Sequence, residues 1–171
     1  MNTPSHAIIA AALRQALPRL RIPLGAVLWG SIAPDIPLFL LTLDHMLGTF
    51  YLHDPVWLAA RSALHAPLVI SGLAAVALTA GRGQPRGRWL AWFAAACALH
   101  TLLDILTHVD DGPLLIFPFD RTVRFHSPVS YWNPRSHGRA FTAFEVSLDL
   151  CLLVYLAVAW RRGRAVRTAV R

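Results

Sequence analysis

Apolar residues run through this chain in long stretches, separated by short clusters rich in Pro, Gly and Arg. The opening "TPSHAIIAAALRQAL" places Thr3 or Ser5 as N-cap and Pro4 in the first turn, so a helix is expected from residue 3 toward Pro18. "RLRIPLG" reads as a turn, and residues 22–43 form a long apolar run interrupted by "GSIAPDIP". Residues 63–81 carry no formal charge and approach the length that spans a bilayer. The short basic loop "GRGQPRGR" then leads into an apolar helix over 89–107. Another is expected over 145–160, followed by a basic tail. Between these two, residues 108–143 are rich in Pro, Arg, His and aromatics, too long for a bare connection, which points to a functional cap. The expected fold is all-α: an integral membrane bundle of about four spanning helices plus an N-terminal half-helix. The chain, 1–171, suits a single domain.

Composition supports a membrane setting. At 56% hydrophobic and 15% charged residues the chain is too apolar for an ordinary soluble domain, although a soluble all-α domain is the alternative. The net charge of +7 comes from sixteen Arg and no Lys. These arginines flank apolar segments, which fits membrane-bordering charge better than nucleic-acid binding. Arg14, Arg19, Arg21, Arg82, Arg86, Arg88 and the tail arginines fall on one side of the expected bundle. Arg61, Arg121, Arg124, Arg135 and Arg139 fall on the other, diluted by Asp44, Asp54, Asp110, Asp111 and Asp120. The richer side is expected in the cytoplasm, giving a multi-pass membrane protein with both ends inside and the long loop outside. Arg14 follows rather than precedes the run "AIIAAAL", so a cleavable signal peptide is not expected. Cys97 and Cys151 lie in apolar stretches and read as small core residues rather than a disulfide or metal pair.

The informative positions are ionisable residues inside apolar helices. In "HTLLDILTH", His100, Asp104 and His108 follow at four-residue spacing and form one stripe on a helix. A buried carboxylate beside imidazoles is costly unless a metal, a proton relay or a hydrogen-bonded cluster satisfies it. Measured from the arginine-rich end at 1.5 Å per residue, His6 lies about 17 Å up, Asp35 about 20 Å and His65 about 22 Å. On the same count His100 lies about 18 Å up, Asp104 about 24 Å, Glu145 about 22 Å and Asp149 about 16 Å. Five helices thus bring their few His, Asp and Glu residues into one layer. Imidazole with carboxylate suits Zn²⁺, with Mn²⁺ or Fe²⁺ as alternatives. Each member has a plainer role open to it. His6 fits simply at an interface, His65 as a hydrogen-bonded core histidine, Asp35 as a cap at a helix break or turn, and His108 as a solvent-facing residue. Glu145 and Asp149 could instead pair with Arg139 or Arg135.

The ordered motifs "SHAIIAAAL", "GSIAPDIP", "LHAPL" and "HTLLDILTH", followed by "DDGPLLIFPF", resemble the YdjM-like family of inner-membrane metal-dependent hydrolases over about residues 3–120. More distantly, the series His, Asp, His, His-x-x-x-Asp is similar to the zinc-dependent phospholipase C pattern, an all-α fold with clustered zinc ions. That resemblance implies that Asp35, His65, His100 and Asp104 hold one metal, with Asp104 bridging toward a second near His6. For a further metal it offers His108, His137 and Glu145. The spacing departs there: the phospholipase has its Glu four residues after a His, whereas Glu145 follows His137 by eight.

The expected function is metal-assisted hydrolysis of a phosphoester in a lipid or lipid-linked substrate, with the bilayer as partner and no nucleic acid. One metal lowers the pKa of a bound water and one or two ions neutralise phosphoryl oxygens. Asp35 or Asp104 would double as general base. Arg121 and Arg124 in "FDRTVRFH" are placed to bind phosphate, with solvent or head-group contact as the plainer role. Trp132, Tyr131, Phe117 and Phe119 would rest the loop at the interface or simply pack it. Two other classes share these features. A transporter or a proton or metal relay would also line a polar layer with His and Asp. A membrane scaffold would pair its acids with arginines and need no metal.

Overall fold

The computed structural model describes residues 1–48, 59–60 and 62–169. Asp54, Arg61 and Arg171, weighed above for charge, lie outside them. The described residues form helices and no strand, the principal ones being α1 (Thr3–Ala16), α2 (Leu24–Ile32), α3 (Ile36–Leu47), α4 (Pro67–Thr79), α5 (Pro85–Ile105) and α6 (Gly138–Ala169). Prolines sit in the first turn of α1, α3, α4 and α5, where the missing N–H costs no helical bond. The "GSIAPDIP" interruption is a 3₁₀ turn at Ala33–Asp35 that joins α2 to α3. Pro34 tightens the backbone there without ending the helical run.

Several boundaries differ from the sequence expectation. The residue before α1 is Asn2, not Thr3 or Ser5. The Thr3 and Ser5 hydroxyls are drawn instead to carboxylates on other elements. α4 is shorter than the apolar run over 63–81, because the chain turns before Pro67. The last helix begins at Gly138 rather than near 145, so the irregular segment after α5 is shorter than expected. Cys97 is buried, but Cys151 is exposed on α6 and not a core residue; both are free thiols.

α5 is the hub, packed against α2, α4 and α1, while α6 packs on α1. Small residues make this possible. A Cβ at Gly30 of α2 would lie 2.5 Å from the Phe93 carbonyl and 2.6 Å from the Ala96 Cβ on α5, so the two backbones touch. Close approach through small residues is the ordinary packing of helices in lipid, where burying apolar area gains little. Ile70, Ala94 and Cys97 form one cluster and Ala10, Ile22 and Val27 another.

The distribution of polarity is inverted relative to a soluble domain. The largest fully buried side chains include His6, His100, Glu145 and Thr101. Large apolar side chains face outward instead: on α6, Phe144 is 57% exposed, Leu150 59% and Val154 63%. Such a surface would be unfavourable in water and is natural against acyl chains. Two stretches, Leu24–Leu47 of 24 residues and Gly138–Arg162 of 25 residues, are long and apolar enough to cross a membrane. At 1.5 Å per residue each reaches about 36 Å, more than the hydrocarbon thickness.

Candidate metal centre

Four side chains from three places in the fold converge. Asp35 ends the 3₁₀ turn, His65 precedes α4, and His100 and Asp104 lie one turn apart on α5. Each offers one ligand atom, and these four atoms lie within 4.8 Å of one another. His100 Nε2 is 3.2 Å from Asp104 Oδ2 and 3.5 Å from Asp35 Oδ1. His65 Nε2 is 3.4 Å from Asp35 Oδ1 and 3.6 Å from Asp104 Oδ2. The i, i+4 spacing on α5 sets the first pair, and the break at Pro34 turns Asp35 toward it.

The surroundings prepare these atoms for a cation. His100 Nδ1 lies 2.8 Å from the Ser31 carbonyl, which holds the N–H at that nitrogen and leaves the Nε2 lone pair facing the carboxylates. His100 Nε2 is buried and makes no hydrogen bond. An orphaned imidazole nitrogen next to two carboxylate oxygens is the arrangement a divalent ion resolves, since it offsets both charges and takes the lone pair. Asp35 Oδ2 accepts from the Thr3 hydroxyl, which orients that carboxylate. His6 stacks on the His100 ring at 3.8 Å and brings Nε2 to 3.1 Å from Asp104 Oδ1. The Met1 amino group reaches the same oxygen at 3.1 Å. Asp104 therefore presents one oxygen to His65 and His100 and the other to His6.

The remaining candidates separate by position. His108 Nδ1 donates to the Asp104 carbonyl at 2.8 Å and stands 3.8 Å from Asp104 Oδ1, at the edge of the cluster. Glu145 is not among the four. It is fully buried, and its two oxygens accept from the Asn2 backbone N–H at 2.7 Å and the Asn2 side chain at 2.8 Å. Asp149 accepts from the Ser5 hydroxyl at 2.6 Å. The repeated i, i+4 carboxylates of α6 thus anchor the start of α1, rather than pairing with Arg135 or Arg139. His137 is exposed, with a left-handed backbone (φ 64°) just before α6. Sequence reasoning missed Asn2, Thr3 and Ser31, which hold the site's carboxylates and imidazole in place. A hydroxyl-rich helix start was the available sign for Thr3, whereas a backbone carbonyl such as that of Ser31 leaves none.

A cavity of about 540 Å³ opens onto the cluster; Asp35, His65, Asp104 and His108 line it together with Asp110, Asp111, Arg121, Arg124 and Tyr131 of the loop. The loop is internally braced. Asp120 Oδ1 accepts from both the N–H and the hydroxyl of Thr122 at 2.6 Å, which holds its carboxyl below the ordinary range. Arg124 donates to the Gly112 carbonyl, and the Arg121 guanidinium lies 5.9 Å from the Phe117 ring centre. Two cationic side chains and an imidazole–carboxylate cluster therefore face one space.

No curated protein and no solved structure matches this sequence. A family model described as YdjM inner membrane protein matches residues 1–170, and the chain belongs to that family.

Proposed function

We propose that this YdjM-family chain is a membrane-embedded, metal-dependent hydrolase that cleaves a phosphoester in a lipid or lipid-linked substrate. The observation that carries the reading is the convergence of Asp35, His65, His100 and Asp104, three of which line a cavity that Arg121 and Arg124 also line. The four residues would hold a divalent ion, zinc by the chemistry of the donor set, with Mn²⁺ and Fe²⁺ as alternatives. When bound, such an ion acidifies water and polarises a phosphoryl oxygen. The chain's own part is binding and positioning. Arg121 and Arg124 take the phosphate oxygens, and Asp35, oriented by Thr3, accepts a proton. His6 and the Ser31 carbonyl hold Asp104 and His100 in register. In this reading α4 and α5 cross the bilayer alongside the two longer spans, giving four crossings.

Elemental analysis of detergent-purified protein is expected to find about one to two Zn, Mn or Fe ions per chain, as such sites hold. The same preparation is expected to release phosphate or a phosphorylated head group from a panel of phospholipids and polyprenyl phosphates, and chelator should stop it. Substoichiometric metal that does not change in His100→Ala would sink the metal centre. Full metal with no chelator-sensitive release would move a transporter or relay ahead of the hydrolase.

The arginine bias carries a second expectation, that the arginine-rich turns and the C-terminal end face the cytoplasm and the loop faces out, whereas the N-terminal end, expected inside, lies at the cluster with its amino group on Asp104. A reporter fused after Arg171 should be cytoplasmic, and a single cysteine at Ser136, in a cysteine-free background, should label in intact cells. Protection of that cysteine would reverse the orientation and put the cavity on the cytoplasmic leaflet.

A further inference from the structure

A larger cavity, of about 990 Å³, lies between α4 and α5 near the start of α5. It shares no lining residue with the cavity on the cluster: its walls reach Ala98, but its mouth at Arg88 lies twelve positions before His100, about 18 Å along the same helix. Its walls are apolar and small, with Ile70, Ala74 and Leu78 from α4 facing Ala91 and Ala95 from α5. Arg21, Arg82 and Arg88 also line it, all three exposed, and among the described residues no Asp or Glu does.

The mouth is built rather than incidental. Arg88 Nη2 donates to the Leu20 carbonyl at 2.8 Å and the Arg21 carbonyl at 2.7 Å, tying the turn after α1 to the start of α5. A guanidinium has five N–H donors, so these two bonds leave capacity for a ligand. The turn between α4 and α5 closes on itself: a Cβ at Gly87 would sit 2.0 Å from the Gly81 carbonyl oxygen. That contact holds the turn that carries Arg82 against the start of α5.

An apolar trough with unopposed positive charge at one end matches an amphiphile with an anionic head. We propose that this groove binds an anionic phospholipid of the surrounding bilayer, with the phosphate at Arg21 and Arg82 and an acyl chain along the α4–α5 wall. The site lies at the arginine-rich end of the bundle and is independent of any hydrolysis at the other end. A zwitterionic lipid fits the trough but gains less from the arginines, since each basic side chain near a membrane surface contributes about fivefold in affinity for negative charge.

The test is lipid binding to the purified full chain, read by native mass spectrometry and by thermal stability. The probes are phosphatidylglycerol and phosphatidylcholine of equal chain length, with inorganic phosphate as a further arm. Phosphatidylglycerol should bind preferentially and stabilise, while phosphate alone should do neither. The R21Q/R82Q double variant should lose about tenfold or more in phosphatidylglycerol affinity and much less in phosphatidylcholine affinity, so that the preference disappears. Ala95→Trp, which fills the trough and keeps every charge, should weaken both lipids. Equal binding of the two lipids to the wild type, or a preference kept in R21Q/R82Q, overturns the proposal. Should the double variant not fold, undiminished phosphatidylglycerol binding to Ala95→Trp overturns it equally.

Discussion

Asp104→Asn is expected to purify as a folded protein that has lost its metal and, with it, all chelator-sensitive turnover. The amide matches the carboxylate in size, so the packing around α5 has no cavity to collapse. What changes is charge. Asp104 Oδ2 stands 3.2 Å from His100 Nε2 and 3.6 Å from His65 Nε2, and Oδ1 meets His6 Nε2 at 3.1 Å. Removing one of two negative charges from the set leaves a neutral oxygen, a poor donor to a hard or borderline cation. Loss of a partner that merely orients a ligand costs about 10–100-fold in metal affinity, and loss of a ligand should exceed the upper figure. Metal content by elemental analysis, alongside gel filtration and circular dichroism, checks both halves. Wild-type metal content in a folded Asp104→Asn protein would remove Asp104 from the site. Glu145→Gln is the contrasting variant: it disturbs the anchor on Asn2 and should leave the ion in place.

That contrast also marks where sequence reading stops. The pair on α5 was legible because i, i+4 spacing places His100 and Asp104 on one stripe whatever the rest of the chain does. Asp35 was legible because an acid between two prolines in an apolar run marks a break, and breaks are where a backbone can turn a side chain inward. His6 and His65 came from counting depth along helices, which needs only the helical rise. The same logic reached Glu145 and Asp149, at the same spacing and depth, yet these hold Asn2 and Ser5 instead. Spacing identifies a polar face but not its partner. Which donors meet a carboxylate depends on the rotation of α6 against α1, and no local pattern encodes that rotation. The helix start failed for a related reason. Thr3 and Ser5 have the chemistry of N-caps, but ionised carboxylates on neighbouring elements are stronger acceptors and claim both hydroxyls.

The all-α, apolar-outside arrangement follows from the composition more directly, since lipid removes the reason to bury leucine and leaves polar groups to seek one another. Packing then falls to small residues, and their positions decide where functional side chains meet. Gly30 is the plainest case. Its neighbour Ser31 supplies the carbonyl that holds His100, and Asp35 follows at the end of the 3₁₀ turn. The distance of α2 from α5 at Gly30 therefore sets whether Asp35 and His100 can share an ion.

Gly30→Leu is expected to break this arrangement without touching any candidate ligand. The new Cβ alone would stand 2.5 Å from the Phe93 carbonyl, 2.6 Å from the Ala96 Cβ and 3.3 Å from the Cys97 nitrogen. Two of those atoms are helix backbone and cannot rotate away, so α2 must retreat from α5. Overpacking of this kind costs about 1–3 kcal/mol, which corresponds to a fall in melting temperature of about 2–12 °C for a chain of this length. The retreat should also lengthen the His100–Ser31 contact and draw Asp35 off the cluster, so metal content should fall while Asp35, His65, His100 and Asp104 all remain. Gly72→Leu is the matched control, because a Cβ there meets nothing within 4 Å and points to the apolar exterior of α4. Thermal unfolding and metal content measured on both variants check the expectation. If Gly30→Leu melts with the wild type and keeps its ion, α2 and α5 do not touch at Gly30, and the positioning of Asp35 must come from elsewhere.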